Sequence, residues 1–385
     1  MNQARKLYVG WQKLHPDPSL NFQLNRWAAL GGPAWVNDIR PVLPRLVDYD
    51  AGVWTSTFCA LGEAAAAQGR TLHAALHFRS AEFFMAHDDP RKDPLRRRLI
   101  AMMREAYGVS LDACTAVPFG RLSLPVWRFP VERPAGTALV FGGFDGYIEE
   151  MFGMFLHMNE TERWSVVAFE GPGQGAVLED QHAPMTPDWD GPVKAVIDAL
   201  GLQDVTLVGV SLGGCLVMRA AAFEPRVRRV VAFDVMEDLF ECATRQQPAI
   251  ASLALRGLLA VGAQKVINEG VPFIAQSRPV AEWGLGQAEH VFGKQGPAEA
   301  IEAMRAYQTR DISDRINQDV LLLAGAGDHY VPLDQLWRQA RLLTSARSIT
   351  ARVFTAKQHA QAHCQVGNLP LALKVFTSWA ASLDA

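Results

Sequence analysis

The stretch from Val205 to Met218 reads VTLVGVSLGGCLVM and decides the fold class of this 385-residue chain. Its first six residues favour β structure and predict a buried strand, whereas the residues after Gly213 are typical of a helix. Positions 209–213, GVSLG, match the pattern G-x-S-x-G, in which a serine occupies a strained turn between strand and helix. Its neighbours must be small because that turn is sharp. The stretch therefore predicts a nucleophile, Ser211; the alternative is a glycine-rich turn whose serine only caps the helix.

Backbone N–H groups beside the turn predict a site that stabilises an oxyanion. The N-terminus of the following helix presents free N–H groups and a partial positive charge, so the N–H of Leu212 is the first predicted donor. An earlier stretch, FGGFDG at 141–146, follows another predicted strand. Its two glycines allow the backbone to approach a substrate closely, which makes the N–H of Phe144 the second predicted donor. An ordinary glycine turn is the alternative for that stretch.

Short apolar runs that alternate with helical stretches predict the rest of the architecture. The runs that favour β structure are Leu122–Phe129, Thr137–Phe141, Ser165–Phe169, Val227–Phe233, Val320–Ala324 and Arg352–Thr355. Such alternation is typical of a mostly parallel sheet with helices on both faces, so the expected fold class is α/β. A final helix, from about Leu369 to Ser382, closes the chain.

The pattern of the chain also predicts its division into domains. Residues 1–114 carry apolar residues at helical spacing and predict an N-terminal helical domain, and residues 115–385 predict the α/β domain. Between about 236 and 315 the pattern is again helical, and it is broken by Pro248, Pro272 and Pro279. We therefore expect a helical cap inserted between two strands of the sheet.

A candidate acid follows the strand predicted at 320–324. The sequence GAGDHYVP at 325–332 places Asp328 on a glycine-rich loop at the carboxyl end of that strand. The order serine, acid, histidine accompanies the G-x-S-x-G turn, and a carboxylate in this place can orient a histidine. An Asp that caps a helix before Pro332 is the alternative. Asp234 and Glu237, just after the preceding strand, are the fallback acids.

Two histidines compete for the role of base. The loop before the final helix contains AKQHAQAHCQ at 356–365, which includes His359 and His363. Either imidazole could take the proton of a serine hydroxyl and return it to a leaving group. His363 lies nearer the final helix, but the spacing by itself leaves both histidines open.

The overall composition excludes several classes of partner. The 37 basic and 40 acidic residues give a formal net charge of −3, which offers no electrostatic attraction to nucleic acid or to an anionic membrane. No run of about 18 uncharged apolar residues predicts a membrane span, and the N-terminus lacks a secretory apolar region. Five scattered cysteines without a Cys-x-x-Cys pair are typical of a reduced, cytoplasmic protein. The expected partner is a small-molecule substrate.

Two further patterns point to a cofactor or a metal, and we favour neither. GPGQGA at 171–176 matches a relaxed dinucleotide pattern, but Pro184 and Pro187 interrupt the helix that a nucleotide site would need. We expect that loop to be a tight turn that shapes a cleft. His73 and His77 are four residues apart on a predicted helix, yet no third ligand is evident. We expect both histidines on the helix surface, and we predict no cofactor and no metal.

Six short stretches together resemble one family of α/β-hydrolases. They are GFD at 143–145 with EE at 149–150, EGPGQG at 170–175, GVSLGG at 209–214, GD at 327–328 and HCQVGN at 363–368. The family includes 2,6-dihydroxypseudooxynicotine hydrolase, the fungal yellowish-green hydrolases that shorten polyketides, and FrsA-like esterases. The resemblance covers most of the chain from about residue 115, and HCQVGN is its most specific element.

The resemblance implies roles that the residues alone leave open. It favours His363 over His359 as the base, because His363 begins the HCQ stretch. It implies that the N-terminal helices cover the active-site cleft and that the protein forms a homodimer. It also implies hydrolysis of a carbon–carbon bond beside a ketone, or of an ester, in a small aromatic or polyketide-like substrate. Gly146 departs from the Ser or Thr that often follows the oxyanion-loop Asp in this family.

Four aromatic residues are the predicted lining of a substrate pocket. Phe144 and Tyr147 lie on or beside the predicted oxyanion loop, and Trp283 and Tyr330 are the other two. The same serine, acid and histidine could also serve a carboxylesterase, a thioesterase, or an acyltransferase or cyclase in which an alcohol or amine replaces water. A non-catalytic ligand receptor of the same fold is the alternative to an enzyme.

Overall fold

The N-terminal part of the chain is helical. A computed structural model describes residues 6–245, 247–275 and 279–383. The helices that precede the first strand are α1 (Pro18–Ile39), α2 (Ala51–Ala67), α3 (Thr71–Phe83) and α4 (Lys92–Tyr107). Helix α1 begins where the side chain of Asp17 accepts the N–H groups of Ser19 and Leu20, and α4 ends at Gly108 in a left-handed conformation. The helical character predicted for this region is confirmed.

One sheet organises the rest of the described chain. Its strands are β1 (Cys114–Phe119), β2 (Leu122–Phe129), β3 (Gly136–Phe141), β4 (Trp164–Phe169), β5 (Val205–Val210), β6 (Val227–Phe233), β7 (Asp319–Gly325) and β8 (Ser348–Phe354). They lie in the order β1-β2-β4-β3-β5-β6-β7-β8. β1 pairs antiparallel with β2, and β2 with β4, while the other neighbours pair parallel. The predicted mostly parallel sheet is confirmed.

The edge strand β1 has no counterpart in the prediction from sequence. Its residues, CTAVPF, include a proline, and Val117 is the buried side chain among them. An edge strand of an antiparallel pair needs no continuous apolar run, because part of its surface faces solvent. β1 therefore lacks the signal that marks an inner strand such as β7, whose residues are all buried.

Helices cover both faces of the sheet, as a parallel sheet requires. They are α5 (Phe152–His157), α6 (Gly175–Glu179), α7 (Asp190–Leu200), α8 (Gly213–Phe223), α14 (Asp334–Leu342) and α15 (Leu369–Ser382). On one face, α7 and α8 bury Val193 and Val217 in the same core as Leu207 of β5. The core of the other face includes Val208 of β5 together with Trp27 of α1. The N-terminal helices therefore share a hydrophobic core with the sheet.

Helices also fill the stretch between β6 and β7. They are α9 (Leu239–Arg245), α10 (Ala249–Ala260), α11 (Gln264–Ala275), α12 (Pro279–Phe292) and α13 (Pro297–Met304). The two ends of this insertion meet, since the N–H of Leu239 donates to the carbonyl of Tyr307 and the N–H of Thr309 donates to that of Glu237, both at 3.0 Å. Across the described ranges, no helix has the length and apolar character needed to cross a bilayer. The exact division of the chain into domains stays a prediction.

Candidate active site

The turn between β5 and α8 is strained, as the sequence predicts. Ser211 follows the last residue of β5 and has φ = +61°, in the left-handed region. Its N–H donates to the carbonyl of Phe233 at 2.8 Å, and its carbonyl accepts the N–H of Gly214 at 2.7 Å. A Cβ on Gly209 would lie 1.9 Å from the carbonyl oxygen of Gly213, so a larger residue there would force the turn open. The turn thereby holds Ser211 at the carboxyl end of the sheet.

Three side chains that are far apart in the chain meet at this turn. Oγ of Ser211 lies 2.8 Å from Nε2 of His363, and Nδ1 of the same imidazole lies 2.7 Å from Oδ2 of Asp328. The other carboxylate oxygen of Asp328 accepts the N–H groups of Tyr330 and Val331 at 2.7 and 3.1 Å. The imidazole is buried, with 6% of His363 exposed. Chemically, this arrangement can pass a proton from the hydroxyl to the imidazole while the carboxylate fixes the ring.

The loop before α15 separates the two candidate histidines. His359 ends a short 3-10 turn with φ = +57° and is exposed to solvent. Cys364 and Gln365, directly after His363, both adopt left-handed conformations and turn the chain sharply. As a result, His363 is buried against the serine turn, whereas His359 lies on the surface.

The two fallback acids occupy different surroundings. Glu237 is fully buried and binds Arg310 at 3.2 Å and Arg338 at 2.9 Å, so its charge is compensated away from the imidazole. Asp234 lies next to His363, with Oδ2 at 3.9 Å from Nδ1. Asp328 is therefore the carboxylate in direct contact with the imidazole, and Asp234 is a second carboxyl group beside it.

The imidazole and the carboxylate stabilise each other's charge. Burial disfavours the protonated imidazole, but the Asp328 carboxylate outweighs that effect and holds the pKa of His363 well above its ordinary value. Burial also works against ionisation of Asp328, yet the charge and hydrogen bond of His363 keep the pKa of that carboxyl below its ordinary value. The site therefore favours an ionised acid beside an imidazole that binds a proton strongly.

This electrostatic pairing predicts a pH dependence. Only the neutral imidazole can accept the hydroxyl proton, and the pKa of His363 is raised, so protonation should switch the base off at a higher pH than usual. We expect the rate at which a fluorophosphonate labels Ser211 to fall with decreasing pH, with a midpoint above about 6.5. Labelling rates over the range from about pH 5 to 9 check this, and circular dichroism at each pH separates it from acid unfolding. A midpoint at or below the ordinary histidine value would contradict the pairing.

Side chains from two parts of the chain bind the carbonyl groups of the loop at 142–144. Nε2 of Gln174 donates to the carbonyls of Gly142 and Gly143 at 2.7 and 3.3 Å. Gln287 of α12 donates to the carbonyl of Phe144 at 3.0 Å. The carbonyl and the N–H of a trans peptide point in opposite directions, so binding of the Gly143 carbonyl turns the N–H of Phe144 away from Gln174. Gln174 belongs to the EGPGQG stretch, but the sequence did not reveal this contact.

Gly143 brings the loop directly against the serine turn. A Cβ on Gly143 would lie 2.7 Å from the backbone nitrogen of Leu212 and 2.8 Å from the carbonyl oxygen of Val210. Such contacts are shorter than real Cβ atoms make, so the site requires a glycine here. The two predicted oxyanion donors, Leu212 and Phe144, are therefore carried by segments in close contact.

The variant Gly143→Ala is expected to lower kcat by about 10²–10³, the loss that follows removal of one oxyanion donor. The added methyl group must push the loop away from Leu212. Gly142→Ala is the matched control, because its Cβ would meet only the end of the Met151 side chain, at 3.4 Å, and its effect should be much smaller. Turnover of a p-nitrophenyl ester and the melting temperature are measured for both variants. Equal losses of kcat at the two positions would contradict this role of Gly143.

Two arginines of the N-terminal helices, Arg26 partly buried and Arg79 buried, bind the end of the same loop. Arg26 binds Oδ1 of Asp145 and Oε2 of Glu150, both at 3.0 Å. Arg79 binds Oε1 of Glu150 at 2.9 Å and the carbonyl of Asp145 at 2.5 Å, and it also pairs with Glu82. Because each buried charge has an opposite partner, the cost of its burial is offset. The N-terminal helices thus hold the loop in place.

A cavity of about 400 Å³ opens beside Ser211. All four aromatic residues predicted to line a pocket line this cavity: Phe144, Tyr147, Trp283 and Tyr330. The hydroxyl of Tyr147 donates to Glu82 at 2.9 Å, and the indole of Trp283 donates to the carbonyl of Phe83 at 2.7 Å. Both rings are therefore fixed by the N-terminal helices. The insertion contributes apolar side chains to the lining, among them Leu239, Leu255, Val271, Leu285, Ile301 and Met304.

The prediction that His73 and His77 lie on the helix surface is wrong. His77 is fully buried, and its Nε2 lies 3.2 Å from Oδ2 of Asp38. His73 is partly buried, and its Nε2 lies 3.1 Å from the carbonyl of Gly31. Helix α3, which carries both histidines, packs against α1 and α2, so both histidines contact other elements. The spacing of residues within α3 could not indicate these contacts.

Comparison with known proteins places the chain among hydrolases. Residues 141–355, more than half of the chain, match the family model of the alpha/beta hydrolase fold. Hydrolase acrC of Aspergillus aculeatus is 28% identical over 368 residues, which cover 83% of this chain and 85% of that protein. The 20-hydroxy-prefusarin hydrolase FUS2 of Gibberella moniliformis is 29% identical over 276 residues, which cover 64% of this chain and 65% of that protein.

Solved structures show the same fold. The structure of 2,6-dihydroxy-pseudo-oxynicotine hydrolase superposes with a TM-score of 0.61 at 18% identity, covering 92% of this chain and 94% of that one. AbyA5 superposes with a TM-score of 0.65 at 18% identity, covering 94% and 93%. The predicted resemblance to the first of these proteins and to fungal hydrolases is confirmed. The chain is thus a hydrolytic enzyme, and it belongs to the α/β-hydrolase fold family.

Proposed function

We propose that the protein is a serine hydrolase in which Ser211 is the nucleophile, His363 the base and Asp328 the acid. The observation that carries the proposal is the unbroken chain of contacts from Oγ through the imidazole to the carboxylate, at 2.8 and 2.7 Å. These contacts end at a cavity large enough for a small-molecule substrate. A serine, an imidazole and a carboxylate in this order perform acyl transfer on several unrelated folds.

The mechanism follows from the positions of these groups. His363 takes the proton of Ser211 as its oxygen attacks a carbonyl carbon, and Asp328 stabilises the resulting imidazolium. The N–H groups of Leu212 and Phe144 bind the oxyanion that forms on the carbonyl oxygen. Collapse of this intermediate expels the leaving group, which receives the proton from His363. Water, activated by the same imidazole, then releases the acid from the acyl-enzyme.

The bond that we propose for cleavage is a carbon–carbon bond next to a ketone, or an ester, in a small aromatic or polyketide-like substrate. The apolar side chains that the insertion contributes to the cavity, and its aromatic residues, support a substrate with a large apolar part. In carbon–carbon cleavage the leaving group is a carbanion, and an adjacent ketone or phenolic ring of the substrate must delocalise its charge. The triad residues serve either bond equally. The cytoplasmic location and the homodimer stay predictions.

The experiment compares turnover of two test substrates that carry the same acyl group, an aryl β-diketone and an aryl ester. We expect a fluorophosphonate to label the wild-type protein at Ser211, as mapped by peptide mass spectrometry, and to block turnover of both compounds. In water enriched in ¹⁸O, the heavy oxygen should appear in the released acid. Transfer of the acyl group to an added alcohol would favour an acyltransferase. Cleavage of the ester but not of the diketone would favour an esterase or thioesterase. Ligand binding without labelling or turnover would contradict the enzymatic proposal and favour a receptor.

A further inference from the structure

Two carboxyl groups face the imidazole of His363. Asp234 follows β6 and Asp328 follows the neighbouring strand β7, and the carboxyl ends of these parallel strands share one edge of the sheet. Oδ2 of Asp328 lies 2.7 Å from Nδ1 of His363, and Oδ2 of Asp234 lies 3.9 Å from the same nitrogen. The mechanism above uses the first carboxyl only. The second calls for an explanation because it is 1% exposed, and burial of a carboxyl group is costly.

The hydrogen bonds of Asp234 attach it to the segment that carries the imidazole. Its Oδ1 accepts the N–H of Val235 at 2.9 Å. Its Oδ2 accepts the N–H of Cys364 and the side-chain amide of Gln365, both at 3.2 Å. Cys364 and Gln365 follow His363 directly, in left-handed conformations that few side chains adopt without support. The Asp234 carboxyl therefore ties the strained turn after His363 to the end of β6.

Only one of the two neighbouring carboxyls can carry a charge at low cost. The ionisable groups that face Asp234 are Asp328, His363 and Cys364, and none of these three is permanently cationic. Two buried carboxylates side by side repel each other, so one of them keeps its proton. Asp328 holds the charge, because it contacts Nδ1 directly and accepts two backbone N–H groups. Burial, and then the charge of Asp328, raise the pKa of Asp234 well above its ordinary value.

We infer that Asp234 is a positioning residue: as a neutral carboxylic acid it fastens the turn after His363, and it becomes the carboxylate partner of the imidazole when the charge of Asp328 is removed. The inference rests on the proposed function, since it assigns a reserve acid to the same site. Without Asp328 the repulsion disappears, and Asp234 can release its proton to solvent. Its anion then stabilises the imidazolium from its place beside Nδ1.

The test compares Asp328→Asn, Asp234→Asn and the double variant in the full-length protein. The readout is the second-order rate at which a fluorophosphonate labels Ser211, followed by intact mass. In a triad with no reserve acid, replacement of the acid by Asn lowers kcat by about 10⁴. Here we expect Asp328→Asn to be labelled at least about tenfold faster than the double variant. Asp234→Ala should lose more rate than Asp234→Asn, because the amide oxygen of Asn still offers an acceptor to the turn.

The pH dependence of the labelling rate tests the charge of Asp234, because a purely structural role of this residue would not change it. In Asp328→Asn, the active form has lost protons from both His363 and Asp234. The logarithm of the labelling rate should therefore rise on the acid side with a slope greater than one, whereas the double variant should show a slope of one. Equal rates for the single and double variants, or a slope of one in Asp328→Asn, would overturn the inference. If variants at position 234 do not melt cooperatively, the slope measured in Asp328→Asn decides the question by itself.

Failure of this inference and failure of the proposed function give different results. If the wild-type protein is not labelled at Ser211, the proposed function fails. If the wild-type protein is labelled and Ser211→Ala is not, but the single and double variants behave alike, then only the role of Asp234 fails.

Discussion

Ser211→Ala is expected to lower kcat by a factor on the order of 10⁶. The variant removes the oxygen that attacks the carbonyl, so no acyl-enzyme can form, and only binding and the oxyanion donors remain to accelerate the reaction. The neighbours of the turn stay in place, because the main hydrogen bonds at this residue come from its backbone N–H and carbonyl. The measurement is turnover of a p-nitrophenyl ester by equal amounts of variant and wild-type protein. Active-site labelling determines how much of the wild-type protein is active.

A matched serine serves as the control for this prediction. Ser56 lies exposed in α2, where its hydroxyl bonds to the carbonyl of Gly52 at 2.8 Å. Ser56→Ala should keep kcat within about twofold, since surface changes of this kind alter stability by no more than about 0.5 kcal/mol. Near-normal turnover in a well-folded Ser211→Ala, with a melting temperature close to that of the wild type, would refute the assignment of the nucleophile.

His363→Asn is expected to lower kcat almost as much as loss of the serine, by a factor on the order of 10⁴–10⁶. Without an imidazole at 2.8 Å from Oγ, nothing takes the hydroxyl proton or returns it to the leaving group. Labelling of Ser211 by a fluorophosphonate should slow to a similar degree, because that reaction also needs the activated hydroxyl. Both rates are measured at the pH where the wild type is fastest.

His359→Asn makes the same chemical change four residues earlier on the same loop. His359 is exposed and has φ = +57°, a conformation that Asn tolerates well, so the backbone of the loop should be kept. We expect kcat and the labelling rate of this variant to stay within a few-fold of the wild type. If His359→Asn abolished labelling while His363→Asn left it intact, the choice of base would be reversed.

Local patterns in the sequence determined the fold class and most of the candidate groups. The strand–turn–helix around GVSLG, the glycine-rich stretch FGGFDG and the loop with Asp328 each carry their signal within about ten consecutive residues. Such signals are readable because backbone strain and strand hydrophobicity depend on neighbours in the chain. The strands that they predict are present, and the edge strand β1, which lacks an apolar run, escaped prediction.

Only the tertiary structure decided which groups meet. Spacing within the chain left both His359 and His363 open, and only the family resemblance favoured His363. The fold separates them, because His363 contacts Ser211 and left-handed residues follow it. Hydrogen bonds connect two arginines of the N-terminal helices, Arg26 and Arg79, to Asp145 and Glu150. The bonded residues are between 66 and 124 positions apart in the chain. The convergence of Asp234 and Asp328 on one imidazole likewise depends on the pairing of β6 with β7. No periodicity encodes contacts of this kind, since they arise when separate elements pack against each other and bring distant charges into one buried volume.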